Sequence, residues 1–153
     1  MRAVVQRVSR ARLTINASEH AAIGRGVVVL LGVGPEDTPE LAVRLADKVM
    51  ASRIHSDAEG KMNLALADEH VQGQALIVSQ FTLFANTRKG NRPAFTGAAA
   101  PALAVSLYER FVARCEELLP DRIRTGVFAA DMQVELVNDG PVTIWMDTAD
   151  WAK

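Results

Sequence analysis

Five consecutive apolar residues, Val27-Val28-Val29-Leu30-Leu31, lie between Gly26 and Gly32. A strand with one face in water alternates apolar and polar residues. This run does not alternate, so it predicts a buried central strand around which the rest of the chain is built. The enclosing stretch, Gly26 to Val33, is far too short to cross a bilayer. The chain has 153 residues, of which 49% are hydrophobic and 23% charged. That fits one soluble domain over 1–153 with a real core and no membrane partner. The start, Met1-Arg2-Ala3-Val4-Val5-Gln6-Arg7, is charged early and lacks an apolar signal core, so it reads as a cytoplasmic protein. The single cysteine, Cys115, excludes an internal disulfide and a cysteine-rich metal cluster.

Two short strands, Arg2 to Val8 and Arg12 to Ile15, are predicted from apolar alternation, and Ala21 to Ile23 leads into the central run. Asp37-Thr38-Pro39 starts a helix, with a capping side chain and proline in the first turn. Leu41, Leu45, Val49 and Met50 carry that helix at the right spacing to about Ser52. Short strands follow at Arg53 to His55 and Lys61 to Leu66, around the turn Asp57-Ala58-Glu59-Gly60. A longer strand covers Ala75 to Phe84. Asn86 to Gly97 reads as a loop. A second helix spans Ala98 to Leu119, with Leu103, Leu107, Phe111, Cys115 and Leu118 as its buried stripe. Met132 to Val137 and Val142 to Asp147 form a strand pair joined through Asn138-Asp139-Gly140-Pro141. Many strands with two main helices make an α+β fold with a curved sheet or barrel-like core.

Most familiar chemical motifs fail on spacing. Gly24-x-Gly26 and Gly32-x-Gly34 lack the further glycine of a dinucleotide loop, and no Gly-Lys-Ser/Thr is present. Lys61 falls on a ligand position of any calcium loop begun at Asp57. His20, His55 and His70 are scattered, so no metal and no cofactor is expected. Ser79 is not in a nucleophile elbow, and Cys115 lies on an apolar helix stripe. Ser79-Gln80-Phe81-Thr82-Leu83 is different, because it places three hydrogen-bonding side chains at the end of an apolar strand, where they need partners. A ligand is one such partner, and ordinary side-chain to backbone bonds are the other. Asn138-Asp139-Gly140-Pro141-Val142-Thr143 sets a proline between two good strands, either as a plain hairpin turn or as a special backbone feature. Net charge is −1, yet no acid precedes Glu19, while Arg2, Arg7, Arg10 and Arg12 do. No acid lies between Glu69 and Glu109 either, a span holding Arg88, Lys89 and Arg92. These stretches could present a positive face to phosphate or simply be solvated.

Taken together, the two segments resemble the D-aminoacyl-tRNA deacylase family over nearly the whole chain. Met1 to Val8, Gly60-Lys61-Met62-Asn63, Gly90-Asn91-Arg92-Pro93-Ala94-Phe95 and Ala130-Asp131-Met132 support the likeness. His55 stands where the family usually has Phe, and Ala129 where it usually has Gly. The resemblance implies hydrolysis of the ester of D-aminoacyl-tRNA, with L-aminoacyl substrates rejected and glycyl-tRNA a further substrate. It implies a homodimer with active sites at the subunit interface, and a cis Gly140-Pro141 that enters the partner's pocket. Ser79, Gln80, Phe81 and Thr82 would form the catalytic wall, with Thr82 as nucleophile or the substrate's ribose hydroxyl assisting instead. Arg7 would orient Gly140-Pro141, Phe128 and Met132 would touch the terminal adenosine, and both basic stretches would meet tRNA phosphates.

Overall fold

The computed structural model describes residues 1–151. The elements run β1 (Arg2–Ile15), β2 (Ser18–Ile23), β3 (Gly26–Gly32), α1 (Pro39–Met50), β4 (His55–Ser56), β5 (Met62–Leu64), β6 (Gln74–Ser79), α2 (Pro101–Leu118), β7 (Ile123–Thr125) and β8 (Gln133–Asp147). Two short 3₁₀ turns, Phe81–Phe84 and Thr148–Trp151, complete the order. The α+β class and the curved, nearly closed sheet expected from the sequence are present, with the two helices packed together on one side.

β3 lies between β1, antiparallel to it, and β6, parallel to it. Val27, Val29 and Leu31 pack with Val5, Ile77, Leu45, Leu107 and Phe111 in the core under the helices. Val28 points the other way, joining Leu13, Ile23, Leu76 and Val78 inside the curl of the sheet. The central run is apolar without alternation because its two faces serve two cores.

β1 is one strand where two were expected. Along one edge it pairs with β8 from Arg2 to Thr14, and along the other it changes partner from β3 to β2. Ser9 and Arg10 are exposed at that exchange, which gives the sequence the look of a break. β2 curves round to approach β6 and β7.

β8 corrects the hairpin reading. Gln133–Asp147 is a single strand on β1, not two strands paired with each other. Val8 pairs with Asn138 and Gln6 with Thr143, so Arg7 alone stands against the four residues Asp139 to Val142. The segment that looks like a turn is a bulge. Asn138 holds its neck, donating from Nδ2 to Thr143 Oγ1 at 2.9 Å and accepting from the Val142 N–H at 3.1 Å.

The 75–84 strand stops at Ser79. The Gln80 N–H still donates to Leu31 O at 2.7 Å, after which the chain turns into the 3₁₀ segment. β7, which the sequence reading passed over, pairs in parallel with β6. α1 begins as expected, with Thr38 accepting from the Leu41 N–H. In α2, Leu118 is 37% exposed and Leu119 is buried in its place, because the helix ends there. Among the described residues no helix is long and apolar enough to cross a membrane.

Candidate active site

A cavity of about 660 Å³ opens at the carboxyl ends of the parallel strands β3 and β6. In sheets of this kind the chain diverges at those ends and leaves room for ligands. Ser79, Gln80 and Phe81 form one part of its wall, and Phe128, Ala129, Ala130, Asp131 and Met132 another. Leu31, Val33 and Tyr108 make its floor apolar. The sequence thus named residues from two distant segments that the fold brings together. It did not single out Tyr108, and it marked Phe95 only as part of the Gly90 to Phe95 segment; both also line the cavity. Tyr108 sits beside Leu107 on α2 and reads as core; its hydroxyl donates to Ile77 O at 2.9 Å.

The 3₁₀ segment is fixed from both sides. Arg2 Nη1 donates to Leu83 O at 2.8 Å, and the same guanidinium lies 4.3 Å from the centre of the Phe84 ring. Gly32 permits the close approach, since a Cβ there would stand 3.0 Å from Gln80 O and 3.1 Å from Leu83 Cβ. At the start of the turn, neither the Phe81 nor the Thr82 N–H donates a hydrogen bond among the described residues. Two free amides beside a cavity can receive a developing oxyanion. Thr82 itself is exposed and is not part of the cavity lining. Its hydroxyl accepts from the Gln80 side-chain amide.

No histidine lines the cavity, and Asp131 is its one charged lining residue. Cys115 is fully buried in the core, where desolvation pushes its thiol up to about 12, so it has no thiolate to offer. Burial likewise raises the Tyr108 phenol. Among the described residues no group of three or more His, Cys, Asp or Glu could hold a metal.

Arg7, Gly140 and Pro141 lie elsewhere. Leu31 pairs with Ser79 and with Ala3, whereas Arg7 pairs with Val27. Four residues along β3 is about 13 Å, so the bulge and the cavity of one chain are well separated. Gly140-Pro141 is a cis peptide, and both residues are exposed. Arg7 is buried beneath them, with Nε donating to Asp139 O at 3.0 Å and Nη1 to Ile54 O at 2.8 Å. Gly140 has φ 125°, and a Cβ on it would stand 2.7 Å from Arg7 Nη2.

The chain from 4 to 147 matches the family model described as D-Tyr-tRNA(Tyr) deacylase. The chain belongs to that family. Proteins named D-aminoacyl-tRNA deacylase are similar over nearly full length. One from Anaeromyxobacter dehalogenans is 56% identical over 148 residues, covering 97% of both chains. Another, from Cytophaga hutchinsonii, is 53% identical over 149 residues, again 97% of both. A solved structure titled c-Myc DNA Unwinding Element Binding Protein has a TM-score of 0.90 at 40% identity, covering 96% of this chain and 98% of that one. A second, titled as a probable eukaryotic D-amino acid tRNA deacylase, has a TM-score of 0.81 at 20% identity, covering 95% and 97%, and shares the fold.

Ala129 and His55 fall at informative places. Ala129, on the cavity wall, has φ 62°, a left-handed conformation that suits glycine. His55 is 1% exposed, and neither ring nitrogen has a hydrogen-bond partner. Its pKa is pushed down to about 4 by burial first, then by Arg25 and Arg7.

Proposed function

We propose that this protein hydrolyses the ester joining a D-amino acid to the terminal adenosine of tRNA, and also releases glycine from mischarged tRNA. The observation that carries the reading is the cavity. In a chain of this family, Ser79, Gln80 and Phe81 face Phe128 and Met132 across a space lined by apolar groups, with unpaired amides at its edge.

Water adds to the ester carbonyl, and the Phe81 and Thr82 amides take the charge that develops on its oxygen. The carbon–oxygen bond to ribose then breaks. The free amino acid leaves with a carboxylate, and the tRNA keeps its hydroxyl. The proton of the attacking water passes through the neighbouring ribose hydroxyl; the lining holds no histidine, and Asp131 is its one charged residue. The bond from Gln80 to the exposed Thr82 hydroxyl favours this route over a Thr82 nucleophile.

Selection by handedness comes from a second copy of the chain in a cytoplasmic homodimer. Gly140-Pro141 is exposed, braced by Arg7 and remote from its own chain's cavity, which supports its entering the partner's. β8 has no strand on its outer edge among the described residues, and Val137 and Trp145 are 40% and 51% exposed along it. That is surface a partner subunit would cover. An L side chain meets fixed main chain and is refused, while hydrogen or a D side chain is accepted.

The test is incubation of purified protein with D-tyrosyl-tRNA and with glycyl-tRNA, followed by separation of the free amino acid. Release of D-tyrosine with intact tRNA supports the reading, and binding of both substrates without release contradicts it. The latter outcome would favour a binding module, a reading suggested by the relative named for binding DNA.

A further inference from the structure

The two acid-free basic stretches have different fates in the fold. In the first, Arg2 pairs with Asp147, Arg7 with Asp139 and the Ile54 carbonyl, and Arg12 with Glu135, so three of its four arginines serve the fold itself. In the second, Arg88, Lys89 and Arg92 are all exposed and none has an acidic partner among the described residues. They ride on one small structure. The backbones of Asn86 and Ala94 exchange two hydrogen bonds, at 2.7 and 3.0 Å, and close a basic hairpin tip between them. The next residue, Phe95, is a wall of the cavity. Phe95 is 39% exposed, and its ring meets that of Phe81 edge to face, with centroids 5.0 Å apart.

Uncompensated cations beside an exposed aromatic ring are what a single nucleic-acid strand requires: charge along its backbone and a flat surface for a base. We propose that the hairpin tip, through Arg88, Lys89 and Arg92, grips the phosphates of the unpaired nucleotides preceding the terminal adenosine, while Phe95 stacks on one of their bases. This rests on the reaction proposed above and names the part of the substrate that the hairpin holds. The cavity takes the aminoacyl ester and its nucleoside. The hairpin takes the single strand that leads out of the cavity, and Arg2, Arg7 and Arg12, held in their own pairs, take no part.

The experiment compares the parent with an Arg88→Gln, Lys89→Gln, Arg92→Gln triple variant, whose thermal unfolding is checked first. Three substrates are used: D-tyrosyl-adenosine, the D-tyrosyl ester of a 5′-phosphorylated CCA trinucleotide, and D-tyrosyl-tRNA. Each neutralised single-strand phosphate contributes about 0.7 to the salt slope. Three of them make kcat/KM of the parent on the trinucleotide ester fall about 20-fold between 50 and 200 mM salt. The triple variant is expected to lose most of that dependence, with a raised KM and unchanged kcat on the trinucleotide and on tRNA, and no change on D-tyrosyl-adenosine. Phe95→Ala should raise KM for the trinucleotide more than Phe95→Tyr does. Equal losses on all three substrates, or a loss confined to full-length tRNA, overturns the assignment. A parent that cleaves none of the three overturns the proposed reaction itself.

Discussion

The Nε of Arg7, on the first strand, donates to the carbonyl of Asp139, on the last, across 3.0 Å. The same guanidinium reaches the Ile54 carbonyl at 2.8 Å, so one buried side chain fixes the bulge to the body of the protein. Lysine cannot make both bonds in that fork geometry. Arg7→Lys is therefore expected to lower the preference for D- over L-tyrosyl-tRNA by about tenfold or more, the effect of roughly 1.4 kcal/mol. The D-substrate rate should change less. Parallel rate measurements on the two esters check this, and an unchanged ratio means that the bracing of the bulge by Arg7 does not set the selection by handedness.

Ala129 holds a left-handed backbone at φ 62°. A residue with a Cβ gives up about 1 kcal/mol or more there relative to glycine. Ala129→Gly should raise the melting temperature by about 2–4 °C, the shift expected per kcal/mol in a chain of this size. Calorimetry checks it, and a lower melting temperature would show that the alanine methyl contributes packing that outweighs the strain.

His55 binds its proton in the unfolded chain near pH 6.5 but in the folded protein only near pH 4. The unfolded state therefore takes up more protons between those values. Stability present above pH 6.5 is lost as pH falls toward 4, by on the order of 3 kcal/mol. Arg7, Arg25 and Asp139 are the charges that act on the ring. His55→Phe removes this proton and also the two unpartnered nitrogens. Urea unfolding at pH 8 and pH 5 should show the variant gaining on the parent at the lower pH. An equal difference at both values would contradict the assignment.

Thr82→Ala should keep activity within about tenfold, because the hydroxyl bonds to Gln80 and has no base beside it. Single-turnover rates with D-tyrosyl-tRNA check this. Complete loss with unchanged substrate affinity would make Thr82 the nucleophile.

The elements legible in the sequence are those whose signals are local and one-valued. Val27 to Leu31 could only be a buried strand, and Thr38-Pro39 could only open a helix. Asn138-Asp139-Gly140-Pro141 has the composition of a turn. What makes it a bulge within one strand is Arg7, 132 residues away from Asp139 in the chain, and no local window contains that contact. The Ala75–Phe84 run has the pattern of a strand throughout because Phe81, Leu83 and Phe84 are apolar. The chain instead turns there into a 3₁₀ segment against Gly32 and Arg2, which leaves Leu83 and Phe84 half-buried and Phe81 exposed. In the candidate site, the two cavity walls were legible through their motifs. The separation of Arg7 and Gly140-Pro141 from the cavity follows only from strand register. The unequal use of the two basic stretches likewise appears only when their partners are known.

The central claim is selection by handedness, and the most direct test is a matched pair, D-tyrosyl-tRNA and L-tyrosyl-tRNA, at one enzyme concentration with a chelator present. The account predicts release of D-tyrosine at least about 100-fold faster than L-tyrosine, the effect of roughly 3 kcal/mol of steric exclusion. Equal rates for the two would contradict it.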